Sequence, residues 1–233
     1  MSSNRPDTCS ADDVSLDKNG TDADAVPSFS PEFRQDLEAL FTWRRDVRCF
    51  RKDPVPKDVL DNLLQLVSLS PSVGNSQPWR WVNVATDERR AFVADCFQQQ
   101  NNLAAKDYEP ETRDHYLQLK LAGLRQAPEQ FAVFCDEVTE QGRELGRKTM
   151  PEMLAYSAVL SVHTFWLAAR AHGIGVGWVS ILDPKAVTEA LDVPKDWRLV
   201  AYLCVGYPET EHIDPDLVRA KWQARTPLKI YDR

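Results

Sequence analysis

Three arginines and an aspartate lie close together near the start of the chain, at Arg44, Arg45, Asp46 and Arg48. A guanidinium group is a planar donor that can hold a phosphate through paired hydrogen bonds, so this spacing is typical of a phosphate-binding site. A solvated charge run, partly neutralised by its own aspartate, explains the same residues equally well. Both interpretations stay open for this segment on its own.

Two other polar features have the same ambiguity. Residues 70–79 read SPSVGNSQPW and can present amide and backbone groups to a polar, planar ligand, although the composition is also typical of a turn-rich connector. Arg225, beside Trp222, is more often a surface residue than a ligand contact. Neither feature indicates a particular ligand by itself.

The element that must position these segments is an almost wholly apolar stretch, residues 149–180. Apolar side chains on every side predict a long central helix buried all round, which ends near Gly173 and leads into a buried strand. Thr149 and Glu152 have the spacing of a capping box. The helix is a candidate dimer interface. Small side chains recur along one side of it, where a helix or a ligand can approach closely: Ser157, Ser161 and Thr164.

Helical and strand periodicities alternate along the rest of the chain. Helices are predicted at residues 30–41, 59–67, 87–99 and 184–191, and strands at residues 79–85, 130–135, 175–181 and 198–206. This pattern predicts the α+β class, with helices around a small mixed sheet. Residues 207–233 are too sparsely apolar for a core of their own, so we expect a C-terminal arm that wraps over a neighbour.

The length of 233 residues fits one domain, and the formal net charge of −7 argues against a nucleic-acid partner. Residues 1–28 hold six aspartates against one arginine and one lysine, and their composition predicts a disordered acidic tail. The remaining residues, 29–233, carry about −3 and are predicted to form a single folded domain. Neither a secretory signal nor a membrane span is predicted.

The five cysteines are odd in number and widely spaced, with no CxxC pair. This predicts neither disulfides nor a zinc site, and it favours a reducing cytoplasm. The four histidines lack the spacing of metal ligands, so no metal site is predicted.

Taken together, the motifs RRDVRCF, SPSVGNSQPW, GIGVGW and VGYPE resemble the FMN-dependent nitroreductase superfamily over residues 33–228. The resemblance implies an intertwined homodimer whose FMN site is shared between two subunits. It implies these FMN contacts: Arg44, Arg48 and Arg225 at the phosphate, with Arg45 in the same segment; Pro71, Ser72, Asn75 and Gln77 from the other subunit; Leu121 ahead of the second strand; and Trp178 and Val179 beside flavin N5.

The departures from the superfamily pattern point to one branch of it. Asp46 replaces a serine, Ser180 lies in a segment that replaces Pro-Ile-Glu-Gly, and Gln223 replaces a lysine. These differences resemble a branch in which reduced FMN is itself the substrate and is fragmented with O2 to a benzimidazole base and a four-carbon sugar phosphate. An NAD(P)H-dependent nitro or quinone reductase and a non-catalytic flavin-binding protein are the alternatives.

In that branch, Asp46 would act as a general base beside the ribityl chain, and Ser180 would hydrogen-bond N5. Neighbouring arginines would lower the pKa of the aspartate, whereas burial would raise it. Asp46 could instead only orient an arginine, and Ser180 could be an ordinary strand-end serine.

Residues 100–130 are predicted to form a lid that closes over the flavin and excludes water, with Tyr108, Tyr116 and several leucines on it. A closed lid leaves no open flavin face for a nicotinamide. The reduced FMN is therefore expected to come from a separate flavin reductase.

Overall fold

The computed structural model describes residues 26–233. Most of the predicted acidic tail, residues 1–28, lies outside the described residues. The chain divides into two compact units between Leu37 and Glu38. In the first unit, the rings of Phe29 and Phe33 stack with their centroids 4.8 Å apart.

Seven α-helices and four strands occur in residues 26–233. The helices are α1 (Pro31–Trp43), α2 (Lys57–Val67), α3 (Asp87–Ala104), α4 (Pro110–Gln118), α5 (Met153–Ala171), α6 (Pro184–Ala190) and α7 (Asp216–Arg219). The strands are β1 (Trp79–Asn83), β2 (Glu129–Asp136), β3 (Gly175–Val179) and β4 (Trp197–Gly206). The four predicted strands and the predicted helices are therefore present, although their ends are shifted.

The four strands form one sheet in the order β1-β2-β4-β3, and all neighbours pair antiparallel. The predicted α+β class is confirmed. Where a mixed sheet was expected, the named strands pair only antiparallel, and parallel pairing occurs at an isolated bridge between Asp46 and Val176. That bridge covers the outer edge of β3 with the arginine-rich segment.

Helices cover both faces of the sheet. Side chains alternate between the two faces along β2 and β4, so each strand contributes to a core on either side. Phe131 and Leu203 point to a core that includes residues of α2 and α5. Phe134 and Tyr202 point to a second core, which includes residues of α3 and α6. The central strands are thus buried on both sides, as their apolar sequences require.

Helix α5 is the predicted central helix, but its start and its burial differ from expectation. The helix begins at Met153, and Glu152 makes no side-chain capping bond, so the capping box is wrong. The buried side faces the sheet, whereas Tyr156, Val159 and Leu160 are 50%, 37% and 42% exposed. The helix is therefore not buried all round within the chain. Among residues 26–233, no helix combines the length and apolarity needed to cross a membrane.

Candidate functional site

A cleft of about 460 Å³ lies where the arginine-rich segment meets four other parts of the chain. Its walls come from the segment after α4, the end of α5, the start of β3 and the residues that follow β4. The polar and aromatic residues that line it include Trp43, Arg45, Asp46, Arg48, Lys120, Trp166, Arg170, Glu211, His212, Asp214, Asp216 and Arg219.

Asp46 is fixed in this cleft by backbone and side-chain contacts. The Val47 amide donates to the carbonyl of Val176 at 3.0 Å, which holds the segment against β3. The two carboxylate oxygens accept separate hydrogen bonds, Oδ1 from the Trp178 amide at 2.8 Å and Oδ2 from Arg48 Nε at 2.9 Å. This approach requires Gly177, because a Cβ there would collide with the carbonyl oxygen of Val47. Gly175 and Gly177 therefore leave room for the segment that carries Asp46, because a Cβ on either would collide with Val47.

Burial raises the pKa of the Asp46 carboxyl, and this effect exceeds the lowering by Arg48 and by the Trp178 amide. The nearby Asp216 carboxylate raises the pKa further. The side chain keeps 32% of its surface accessible, so the carboxylate is desolvated without being sealed off. The sequence left open which effect on the pKa would dominate, and in the structure it is burial.

Arg48 links Asp46 to the predicted lid. Its Nη1 donates to the carbonyl of Lys120 at 3.0 Å, and only 12% of its side-chain surface is exposed. Leu121 follows immediately in the chain and is partly buried. Arg48 thus holds both the carboxylate and the segment that leads to Leu121.

Arg44, Arg45 and Arg225 form a concentration of positive charge. The Arg44 guanidinium lies over the ring of Trp166 at 4.7 Å, and Arg45 donates to the carbonyl of Ile213 at 2.5 Å. Burial lowers the pKa of Arg45, and repulsion from Arg225 and Arg44 lowers it further, against an opposite effect of Asp214. The charges of Arg44 and Arg225 thus act on Arg45, and an anion bound near Arg45 would relieve the repulsion.

Arg45 lines the cleft, whereas Arg44 and Arg225 are not among its lining residues.

The ion pair of Arg170 and Glu211 is a feature of the cleft that the sequence reasoning missed. Nη1 and Nη2 of Arg170 donate to Oε1 and Oε2 of Glu211, each at 2.8 Å, and this pairing lowers the pKa of Glu211. The pair ties the end of α5 to the segment after β4. No local motif signals it, because the two residues are 41 positions apart.

The polar loop, residues 70–79, packs on the stripe of small side chains along α5. Ser70 Oγ donates to Thr164 Oγ1 at 2.9 Å, and the Val73 amide donates to Ser157 Oγ at 3.0 Å. Ser161 Oγ, also in the stripe, accepts a hydrogen bond from Trp81 Nε1 at 3.3 Å. A helix or a ligand was predicted along the stripe, but these hydrogen bonds come from the polar loop and from Trp81 of β1.

The predicted contacts of the polar loop lie away from the cleft of their own chain. Ser72 Oγ accepts from the Gln77 amide at 3.0 Å, and Gln77 Nε2 donates to Asn75 Oδ1 at 3.2 Å. Pro71 and Asn75 are exposed. The structure does not bring these residues to the arginines, and their contact with a flavin in another subunit stays a prediction.

The residues predicted beside flavin N5 are at the end of β3. Trp178 lies against Trp166, with ring centroids 6.4 Å apart, while its amide holds Asp46. Val179 is buried, and Ser180 follows it with an exposed side chain. None of the three lines the cleft. The structure therefore connects Trp178 to Asp46 but leaves the role of Ser180 a prediction.

The predicted lid, residues 100–130, consists of the end of α3, helix α4, the turns on either side of it and the start of β2. Tyr116 donates to Asn101 Oδ1 at 2.6 Å, and Trp222 from the C-terminal arm packs edge-on against Tyr108. Residues 118–120 line the cleft. Leu124 is buried in the core rather than placed on the inner surface of a lid.

Comparison with known proteins agrees with the fold and the motifs. Residues 41–207 match the Nitroreductase family. The chain therefore belongs to the nitroreductase family, as its motifs predict. A solved structure of iodotyrosine deiodinase bound to FMN and 3-iodo-L-tyrosine has a TM-score of 0.65 and 21% identity, over 84% of this chain and 97% of that one.

Within the family, the chain is similar to 5,6-dimethylbenzimidazole synthases. It is 56% identical to that of Rhodospirillum rubrum over 208 residues, which are 89% of this chain and 98% of the relative. It is 44% identical to that of Rhodobacter capsulatus, over 87% of this chain and 98% of the relative. The resemblance to a particular branch, predicted from the departures at Asp46 and Ser180, is confirmed.

Proposed function

We propose that this chain converts reduced FMN and O2 into 5,6-dimethylbenzimidazole, the lower ligand base of cobalamin, with D-erythrose 4-phosphate as a fragment. One observation carries the proposal: the 56% identity to a 5,6-dimethylbenzimidazole synthase over 98% of that relative. The geometry around Asp46 supports it. We place the reaction in the reducing cytoplasm, because Cys49, Cys96, Cys135 and Cys204 are all free thiols.

The arginine cluster fits the phosphate of FMN. Arg45 is repelled by the guanidinium groups of Arg225 and Arg44, and Asp214 offsets part of this positive charge. A phosphate would supply the missing negative charge and accept paired hydrogen bonds from planar donors. In this proposal, the cluster holds one end of the substrate and directs the ring toward Trp178.

Asp46 acts as the general base that removes a proton from ribityl C1′. A base at neutral pH must be ionised yet retain affinity for the proton, and burial moves the pKa of Asp46 in that direction. Arg48 and the Trp178 amide hold the carboxylate in one orientation. Ser180 donates a hydrogen bond to flavin N5.

The functional unit is a homodimer with shared FMN sites. Tyr156, Val159 and Leu160 form an exposed apolar face on α5, and the C-terminal arm ends in the exposed Leu228 and Ile230. Burying these side chains against a second copy removes apolar surface from water. The same association would carry Asn75 and its loop to the flavin site of the partner.

A separate flavin reductase supplies the reduced FMN. Residues 118–120 already form one wall of the cleft, and Arg48 ties them to the substrate-facing carboxylate. In this proposal, the wall covers the ring face on which a nicotinamide donor would otherwise stack. Excluding water there also protects reactive species formed during the reaction.

The test is an incubation of the purified protein with excess reduced FMN in air, with products identified by mass spectrometry. Formation of 5,6-dimethylbenzimidazole and a tetrose phosphate supports the proposal. Recovery of the flavin as intact FMN indicates a non-catalytic flavin-binding protein. Rapid NAD(P)H oxidation with a nitroaromatic acceptor, without the base, indicates a reductase.

Ser180 is tested separately by the Ser180→Gly variant. If Ser180 hydrogen-bonds N5, the variant binds FMN but forms the base at least about tenfold more slowly, as expected for loss of one well-placed donor. A full yield at the wild-type rate removes Ser180 from the mechanism.

A further inference from the structure

Residues 139–147 form a turn-rich segment that packs on the polar loop, and we call it the cover segment. Gln141 Nε2 donates to the carbonyl of Asn75 at 3.0 Å. Within the segment, Arg147 Nη1 donates to the carbonyl of Thr139 at 2.8 Å, with 15% of the Arg147 side chain exposed. The cover segment is thus closed on itself and bonded to the loop backbone.

The two backbones approach too closely for a side chain at either contact. A Cβ on Gly74 would lie 2.9 Å from the carbonyl oxygen of Leu145, and a Cβ on Gly142 would lie 2.7 Å from that of Gly74. Both glycines have positive φ, +56° and +82°. Only glycine permits this contact without strain. The contact also buries Ser76.

The loop needs such support because its conformation is unfavourable locally. Asn75 and Gln77 have φ of 53° and 42°, in the left-handed region that non-glycine residues rarely adopt. Such a backbone persists only where surrounding structure holds it. The hydrogen bond from Gln141 and the backbone contact at Gly142 act on this stretch.

We infer that the cover segment is a positioning element, which holds the backbone of residues 72–77 in the geometry that presents Ser72 and Asn75 to FMN. The inference rests on the proposed function, in which these residues reach the flavin of the partner subunit. Gln141 is the positioning residue of the cover segment. It acts through the Asn75 carbonyl rather than by touching FMN.

The test compares two alanine variants that share the same local strain. Gly142→Ala and Gly173→Ala both place a Cβ at positive φ, +82° and +70°, but a Cβ on Gly173 meets nothing within 4 Å. The full-length dimer of each is assayed for FMN affinity and for amide hydrogen exchange at Asn75 and Gln77. We expect Gly142→Ala to raise the Kd for FMN at least about fivefold, the effect of one hydrogen bond, and to speed that exchange. Gly173→Ala should change neither.

A second, milder variant keeps the inference testable if Gly142→Ala does not fold. Gln141→Glu retains the size of the side chain but has no N–H to donate at neutral pH. It should weaken FMN binding about threefold to fivefold and speed exchange at Asn75, whereas Gln65→Glu on the exposed side of α2 should do neither.

Two outcomes overturn different claims. If Gly142→Ala and Gln141→Glu match their controls in both Kd and exchange, the cover segment does not position the loop. If the wild-type protein binds no FMN, the proposed function fails. Faster exchange in Gly142→Ala would then still show that the cover segment holds the loop, and unchanged exchange would refute that too.

Discussion

The Asp46→Asn substitution separates a catalytic carboxylate from one that only orients an arginine. Asparagine keeps the shape of the side chain, and its oxygen can still accept from the Trp178 amide, which now lies 2.8 Å from Oδ1. The negative charge opposite Arg48 is lost, across a contact that is 2.9 Å long. The amide NH2 group that replaces Oδ2 faces the Nε–H of Arg48, so the substitution removes one charge, one proton acceptor and the hydrogen bond from Arg48.

The effect on stability should be small. A hydrogen bond to a charged group contributes roughly 1.5–3 kcal/mol, and Asp46 keeps 32% of its side-chain surface accessible, which weakens the pair. The substitution also relieves the desolvation of a buried carboxylate, which offsets part of the loss. We expect a net loss of about 1 kcal/mol and a fall in Tm of about 2–4 °C, measured by calorimetry.

The effect on catalysis should be large. Loss of a general base lowers a rate by roughly 10²–10⁴-fold, so single-turnover formation of 5,6-dimethylbenzimidazole from reduced FMN should fall at least about 100-fold. The Kd for FMN should stay within about threefold of wild type, since the arginine cluster remains. The assay is rapid mixing of the reduced complex with aerated buffer, followed by chromatography of the products.

The Arg48→Ala variant identifies the alternative role. If Asp46 acts only by orienting Arg48, Arg48→Ala should lose as much rate as Asp46→Asn, and the double variant no more than either. If Asp46 is the base, Asp46→Asn should have the larger effect. Product formation by Asp46→Asn at the wild-type rate would refute the catalytic role altogether.

Three other predictions follow. Because burial raises the pKa of Asp46, the rate should fall on the acidic side at a pH above the pKa of an ordinary aspartate, which rates measured across pH check. The stabilisation of the fold by the protonated carboxyl should be lost as pH rises through the raised pKa, which unfolding measured across pH checks. Arg225→Gln should weaken FMN binding about tenfold without weakening riboflavin binding, measured by fluorescence titration, and an equal loss for both ligands would contradict a phosphate contact. Leu160→Glu should convert the dimer to monomers in sedimentation, whereas Leu103→Glu, on the exposed side of α3, should not.

Much of the fold could be predicted from the sequence because its signals are local. Runs of apolar residues placed β2 and β4 close to their observed bounds, and Gly173 ended α5 as expected. The start of α5 was wrong, because the capping-box spacing of Thr149 and Glu152 occurs in a turn rather than at a helix start. A spacing permits a cap but does not require one.

The candidate site could be predicted only in part. Arg44, Arg45, Asp46 and Arg48 are adjacent in the chain, so their chemistry could be judged together. The ion pair of Arg170 and Glu211 and the hydrogen bond from Gln141 to the polar loop join segments that no short pattern connects. These contacts depend on how the helices pack on the sheet.

The sequence by itself determined which residues carry charge, where the four strands and most of the longer helices lie, and to which family the motifs belong; α4 and α7 were not predicted. Only the tertiary structure decided that the Asp46 carboxylate accepts from an amide 132 residues away, and that burial outweighs Arg48 in its effect on the pKa. The reason is physical: a pKa depends on the solvent and the charges around a group, and distant parts of the chain supply both.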